Sequence, residues 1–436
     1  MKSQLIATSL CFLASISFHG YSTLAEDHVP RKFSTEINPG CEAVFGTNCS
    51  ENSTINLVHI RSDGPHDTLH FLWSFLGAPS LLLVRTPLQS NLSVDWTSIF
   101  EDTGSGGGIS FEPEPYYLFG WSLVKVWVYN DQNDTARLDK ADQSDVEGYD
   151  SKNFVWNRKD NSSILNSTMI NLSFEARSYD HREGEANGVE QMGPNGFFRI
   201  TIRMKSTEDY SKVLPYMMYN ENSTQVDVAF NDVQLNTTAE EYPKHPRIAL
   251  KYIMVQDNGN RNGEAGQMKL DVTKTLDDEH SPGVFEVYSI NTPAKGYNQS
   301  YIQWRPICYT AEVRDVIDSV DVEAYPLQHA SSVLHDDNVQ DSILWSYFGT
   351  EIDNVTFQSM NISFGTVGDG FYNKTKHISW TYSTGFGVPP PDRVSLLVML
   401  VVSIGLGIPA LIIVLSVIYM VMCKVRRPRD DLLLGQ

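Results

Sequence analysis

Apolar and polar residues alternate with period two through most of the chain, the mark of half-buried strands. Phe198, Ile200, Ile202 and Met204 alternate with Arg199, Thr201 and Arg203, and Ile248, Leu250, Tyr252 and Met254 repeat the pattern. Residues 118–129 are apolar on both faces, which predicts a central strand. Residues 68–76 and 80–84 read alike, with Gly77-Ala78-Pro79 as the turn between them. No amphipathic helix of twelve residues is evident before the C-terminal segment. In three places an Asn and a Ser alternate with apolar neighbours: Asn91 and Ser93, Asn171 and Ser173, Asn361 and Ser363. One solvated and one packed face belongs to antiparallel sheets. The pattern predicts a mainly β fold of antiparallel, sandwich-like layers.

Two apolar segments interrupt this pattern. Residues 5–18 follow Lys2 and precede the small residues Thr23 and Ala25, which predicts a cleaved secretory signal over residues 1–25. Residues 394–423 carry no charge, and at 1.5 Å per residue they exceed the ~30 Å hydrocarbon core. Lys424, Arg426, Arg427 and Arg429 follow, so the positive-inside rule places the tail in the cytosol. That basic tail excludes a GPI signal. The expected organisation is a signal (1–25), an N-terminal β-rich lumenal domain (26–205) and a C-terminal one (206–388). A Pro-rich stalk (389–393), a transmembrane helix (394–423) and a cytosolic tail (424–436) follow.

Thirteen Asn-X-Ser/Thr sequons lie between the apolar segments: Asn48, Asn52, Asn91, Asn133, Asn161, Asn166, Asn171, Asn222, Asn236, Asn298, Asn354, Asn361 and Asn373. Chance would give roughly four or five, so the excess points to a secretory route and dense glycosylation. The net charge of −20 excludes nucleic acid as a default partner, since phosphate binding needs a basic surface. Setting aside Lys2 and the tail's four bases and two acids takes the lumenal part to −23. Of the five Cys, Cys11 leaves with the signal and Cys423 ends the helix. Cys41 with Cys49 is the simplest disulfide, leaving Cys308 as a buried thiol or an intermolecular partner.

Catalytic patterns are absent. There is no H-E-x-x-H, G-x-S-x-G or C-x-x-C. The Gly104–Gly108 cluster lacks the Lys of a phosphate loop, and residues 258–269 depart from a calcium loop at Arg261 and Lys269. No catalytic residue, metal ligand or cofactor is therefore expected. His59, His66 and His70 cluster around a predicted hairpin, where structural roles compete with a pH switch. The tail sequence Asp430-Asp431-Leu432-Leu433-Leu434 fits D-x-x-L-L, with Asp430, Leu433 and Leu434 as the sorting determinants that cytosolic adaptors would bind. Within the helix, Ser403, Gly407 and Ala410 share one face at i, i+4 and i+7, which suits close docking of another helix. Sequon-free residues 57–89 and 302–320 are the expected lumenal contacts.

The stretches Leu57-Val58-His59-Ile60-Arg61, Thr68-Leu69-His70-Phe71-Leu72-Trp73-Ser74-Phe75-Leu76-Gly77 and Leu92-Ser93-Val94-Asp95-Trp96 resemble the glycosylated lysosomal membrane protein family. So do Phe154-Val155-Trp156-Asn157, Gln303-Trp304-Arg305-Pro306, Asn361-Ile362-Ser363-Phe364-Gly365 and His377-Ile378-Ser379-Trp380. The resemblance implies a glycosylated type I protein of the lysosomal membrane. It implies an accessory subunit that shields a major-facilitator-superfamily dipeptide transporter from lysosomal proteases. The tail departs from the family's vertebrate members, which resemblance associates with a tyrosine-based signal, and the lumenal cysteines do not match theirs. A membrane-tethered lumenal hydrolase or lectin-like sorting receptor is the alternative from another class.

Overall fold

The computed structural model describes residues 30–46, 49, 55–100, 107–181, 189–235, 243–257, 266–274, 283–329, 339–391 and 396–426. The signal segment and the tail with Asp430, Leu433 and Leu434 lie outside the described residues.

Among the described residues, twenty-four strands precede the C-terminal helix. The first eight are β1 (Lys32–Ile37), β2 (Leu57–Asp63), β3 (Thr68–Ser74), β4 (Ser80–Thr86), β5 (Asn91–Val94), β6 (Ile109–Glu112), β7 (Tyr117–Asn130) and β8 (Val146–Asp150). Next come β9 (Phe154–Arg158), β10 (Ile164–Leu165), β11 (Met169–Asp180), β12 (Val189–Gln191), β13 (Phe197–Lys205), β14 (Asp209–Tyr210), β15 (Met218–Tyr219) and β16 (Ser223–Asn231). The last are β17 (Pro246–Asp257), β18 (Lys269–Lys274), β19 (Glu286–Asn291), β20 (Ser300–Tyr309), β21 (Ser319–Ala324), β22 (Gln328–His329), β23 (Thr356–Phe364) and β24 (His377–Phe386).

All pairings between them are antiparallel, and they build two layers. One runs β1-β2-β3-β4-β7-β17-β23, with β8 taking over the side of β7 that β4 leaves. The other runs β9-β11-β13-β16-β24-β20-β19-β18. Strand β21 joins them: Ser319 to Asp321 pair with β20, and Val322 to Ala324 pair with β23. The expected boundary at 205/206 falls between β13 and β16, which are hydrogen-bonded neighbours. Strands from both sides of it share both layers and one hydrophobic core.

Aromatic rings cross that core. Trp73, Trp121 and Tyr252 come from one layer, and Tyr382, Trp380 and Trp304 from the other. Trp121 stands edge-on to Trp73 at 5.5 Å, to Tyr252 at 5.6 Å and to Tyr382 at 5.7 Å. Each such pair contributes about 0.5–1.5 kcal/mol beyond burial, so the ladder fixes the relation of the layers as well as filling the space.

A second hydrophobic cluster covers the outer face of β3, β4 and β7. It includes the β5–β6 hairpin, Trp96 and the short helix Ile343–Phe348. This explains why residues 118–129 are apolar on both faces. Gly120 on β7 makes the helix fit, since a Cβ there would meet Leu344 Cδ2 at 2.5 Å. Cys41 and Cys49 are joined as a disulfide in the same cluster, with Cα atoms 6.0 Å apart. Cys308 is a buried free thiol on β20. The C-terminal helix spans Leu396–Arg426, with Pro409 inside it, and the apolar side chains of residues 400–422 face outward. It continues past the expected end at Cys423 into the basic residues.

Candidate functional site

Three sequon asparagines lie outside the described residues: Asn48, Asn52 and Asn236. The side chain of Asn354 is also not described. Among the rest, Asn91, Asn133, Asn161, Asn166 and Asn373 are exposed. Asn171, Asn222, Asn298 and Asn361 are half-buried, and none of the nine is buried. The strand periodicity accounts for this: in β11 and β23 the residues flanking Asn171 and Asn361 point into the core. Asn361 accepts a hydrogen bond from the Trp127 indole at 3.3 Å through Oδ1, and Asn222 accepts one from Arg31 Nε at 2.6 Å, which leaves both side-chain amide nitrogens outside those bonds.

The charged groups inside the fold are paired. Arg247, 1% exposed, donates to Asp131, Asp134 and Asp369 at 2.7, 2.7 and 2.8 Å. Gly365 (φ 139°) allows this, because a Cβ there would collide with Arg247 Nη1. Glu175 is held by Lys159, Arg177 and Arg199. Asp227 bonds Arg203, Arg314 and the Thr381 hydroxyl. Asp67 bridges Arg31 and Arg85, each at 2.6 Å. Burial works against ionisation of Asp67, Asp131, Glu175, Asp227 and Asp369, but the facing arginines, lysine and amide donors win, holding each carboxyl below its usual range. A glycosidase needs the opposite, one carboxyl kept protonated as general acid. Among the described residues, each carboxyl with a resolved shift moves down.

His59 and His70 are brought together beneath the β5–β6 hairpin. His59 Nε2 lies 2.9 Å from His70 Nδ1, and His70 Nε2 lies 3.0 Å from Thr86 Oγ1. Burial, reinforced by the Arg61 cation, lowers His59 to about 4. Burial, with the His59 ring beside it, lowers His70 to about 3. Both rings are therefore neutral near pH 5. His66 does not join them.

The expected contact stretches need correction. Most of 57–89 is buried, since β2, β3 and β4 carry core on one face and the second cluster on the other. In 302–320 the strand is buried and only the following loop exposes apolar side chains, Val313 at 84% and Ile317 at 90%. That loop lies beyond Tyr309, which pairs with Ser379, whereas Ser300 pairs with Phe386 at the other end of β24. Phe386 is the last strand residue before the apolar helix. Residues 387–395 separate it from the helix in sequence, a reach of at most roughly 30 Å. Near Phe386 a rim exposes Tyr297 (83%), Val388 (70%) and Tyr116, with Asn298 donating to the Tyr116 carbonyl between them. Arg85 organises it, donating to Asn298 Oδ1 at 2.8 Å and lying 5.2 Å from the Phe386 ring. Neither the rim nor the ionic clusters is legible from local sequence, because their members come from distant parts of the chain, Arg85 and Asn298 alone being 213 residues apart.

A sequence profile of the glycosylated lysosomal membrane protein family matches residues 56–427. The chain belongs to that family. A glycosylated lysosomal membrane protein of Danio rerio is 30% identical over 91% of this chain and 90% of its own length. Glycosylated lysosomal membrane protein B of Xenopus laevis is 27% identical over 89% of each, and the Homo sapiens protein 24% over 82% of each. The protein is thus a lysosomal membrane protein with a β-rich lumenal part and one C-terminal apolar helix. Ser403, Gly407 and Ala410 lie along that helix, with open space at Gly407.

Proposed function

We propose that the protein is a non-enzymatic accessory subunit that stabilises a major-facilitator-superfamily dipeptide transporter, protects it from lysosomal proteolysis and supports its lysosomal residence. The observation that carries this reading is the distribution of accessible sequon asparagines over a single-core lumenal sandwich. A glycan coat of that kind obstructs proteases, and the lumenal loop tips of a multispanning transporter are the cleavable sites it would cover. The transporter and its dipeptide substrate come from the family resemblance. The contact is assigned to the rim of Tyr116, Tyr297 and Val388 near Phe386, the last strand residue before the helix; the sequon residue within it, Asn298, gives its side-chain amide to the Tyr116 carbonyl and is taken as unglycosylated. The helix adds the face of Ser403, Gly407 and Ala410, and the tail, through Asp430, Leu433 and Leu434, engages sorting adaptors.

Co-purification in mild detergent tests the reading. The full-length protein should bring down one stoichiometric multispanning partner. Tyr297→Lys with Val388→Lys, and separately Gly407→Leu, should reduce its recovery several-fold. No multispanning partner with the parent protein overturns the accessory role, and undiminished recovery with both variants overturns the assigned surfaces.

A further inference from the structure

The outer face of the second layer departs from the charge of the whole. The chain carries −20, yet Lys159, Arg177, Arg199, Arg203, Lys212 and Arg314 gather on this face, with Glu175, Asp227 and Glu312 among them. Strand alternation explains part of this. Arg199, Thr201 and Arg203 are the outward positions of β13, whose inward neighbours fill the core. Above them, segments 212–216 and 312–314 close a cleft of about 400 Å³. Its floor holds Arg199 and Arg203, with the small side chain of Ala229 between β13 and β24 leaving room.

The arginines are held but not used up. Arg314 is spent on the Leu214 carbonyl, Ser379, Thr381 and Asp227, and so fixes the roof to the floor. Arg203 engages Asp227 through Nη1 alone. Arg199 gives Nε and Nη2 to Glu175 and lies 4.1 Å from the Phe197 ring centre. That leaves Arg199 Nη1 and Arg203 Nε and Nη2 outside these bonds. Lys212 is exposed on the roof and has no ion pair among the described residues. Pre-positioned guanidinium donors with a mobile ammonium above them match the oxygens of a carboxylate or phosphate. Phe197, Val213 and Leu214 supply an apolar wall beside them.

We infer that this cleft is a lumenal site for a small organic oxyanion, bound through its carboxylate or phosphate oxygens by Arg199, Arg203 and Lys212. The site is distinct from the rim around Phe386. It lies toward the end of β24 that holds His377 and Ser379, the end opposite Phe386.

The experiment follows thermal unfolding of the full-length protein in detergent at constant ionic strength, titrated with inorganic phosphate and separately with N-acetylneuraminate against chloride. A saturable rise in melting temperature with phosphate alone assigns a tetrahedral oxyanion, and with N-acetylneuraminate alone a carboxylate. Two variants test the residues. Lys212→Glu changes an exposed side chain without an ion pair, and Arg199→Gln leaves Glu175 paired with Lys159 and Arg177. Each should raise the half-saturating concentration about tenfold, the loss of one charge-assisted hydrogen bond, while Lys140→Glu, outside the cleft, leaves it unchanged. No saturable shift with either probe overturns the inference. Parental half-saturation in both cleft variants does so too.

Discussion

The His59–His70 pair makes the lumenal fold weaker in acid, by an amount the structure sets. In the unfolded chain each ring titrates near 6.5, while burial holds them at about 4 and about 3 in the fold. Both folded values are depressed, so the stability they contribute is present above pH 6.5 and is lost as pH falls toward 4 and 3. Between neutral pH and pH 5 the unfolded rings take up protons that the folded rings refuse, which costs about 2 kcal/mol per histidine. Folded carboxyl values lie below the usual range, so their contribution is still intact at pH 5. With an unfolding entropy of about 2.1 cal/mol/K per residue, the pair's roughly 4 kcal/mol corresponds to about 5 °C. The perturbation is His59→Gln with His70→Gln. Neutral amides of similar reach keep hydrogen-bonding groups beside Thr86 and remove the titration. The assay is thermal unfolding of the detergent-solubilised protein at pH 7.5 and pH 5.0. The variant should melt lower at pH 7.5, from lost packing, but its acid-induced drop should be about 5 °C smaller than the parent's. An identical drop in both proteins would refute the reasoning.

Three further outcomes are expected. Replacing Arg247 with Met strands Asp131, Asp134 and Asp369 without their shared cation; a loss of about 3–5 kcal/mol should appear in denaturant unfolding, and a smaller loss than 1 kcal/mol would show the cluster to be dispensable. Enzymatic deglycosylation should collapse a broad, slow-migrating band to a sharp one somewhat below the 49.1 kDa of the full sequence, since the signal is removed, whereas a sharp band already there before treatment would exclude the glycan coat. Leu433→Ala with Leu434→Ala should raise the protein at the cell surface, and unchanged lysosomal residence in this variant and in a tail-less form would place the signal elsewhere.

Much of the fold is legible because burial in a sheet has a local signature. Phe198, Ile200, Ile202 and Met204 face the core as their alternation requires, and the C-terminal helix follows from its uncharged run. Asn171 and Asn361 reveal solvated faces because a sequon must reach water. What local pattern does not carry is pairing at long range. The joining of both halves into one core depends on β13 meeting β16 and β7 meeting β17, and no periodicity names a partner strand. Arg247 finds its acids more than 110 residues away, so the sequence shows only four scattered charges. The stretch 57–89 looked like an available apolar surface because its sequence is equally apolar whether a partner or a second cluster of the same chain covers it.

The central claim is that the protein protects a multispanning transporter in the lysosome. The most direct measurement is the transporter's lysosomal half-life in cells with and without this protein, each with and without inhibitors of lysosomal proteases. The account predicts a half-life shortened several-fold by deletion and restored both by the inhibitors and by the full-length protein. A transporter half-life unchanged by deletion, together with turnover of a lysosomal substrate by the purified lumenal part, would contradict it.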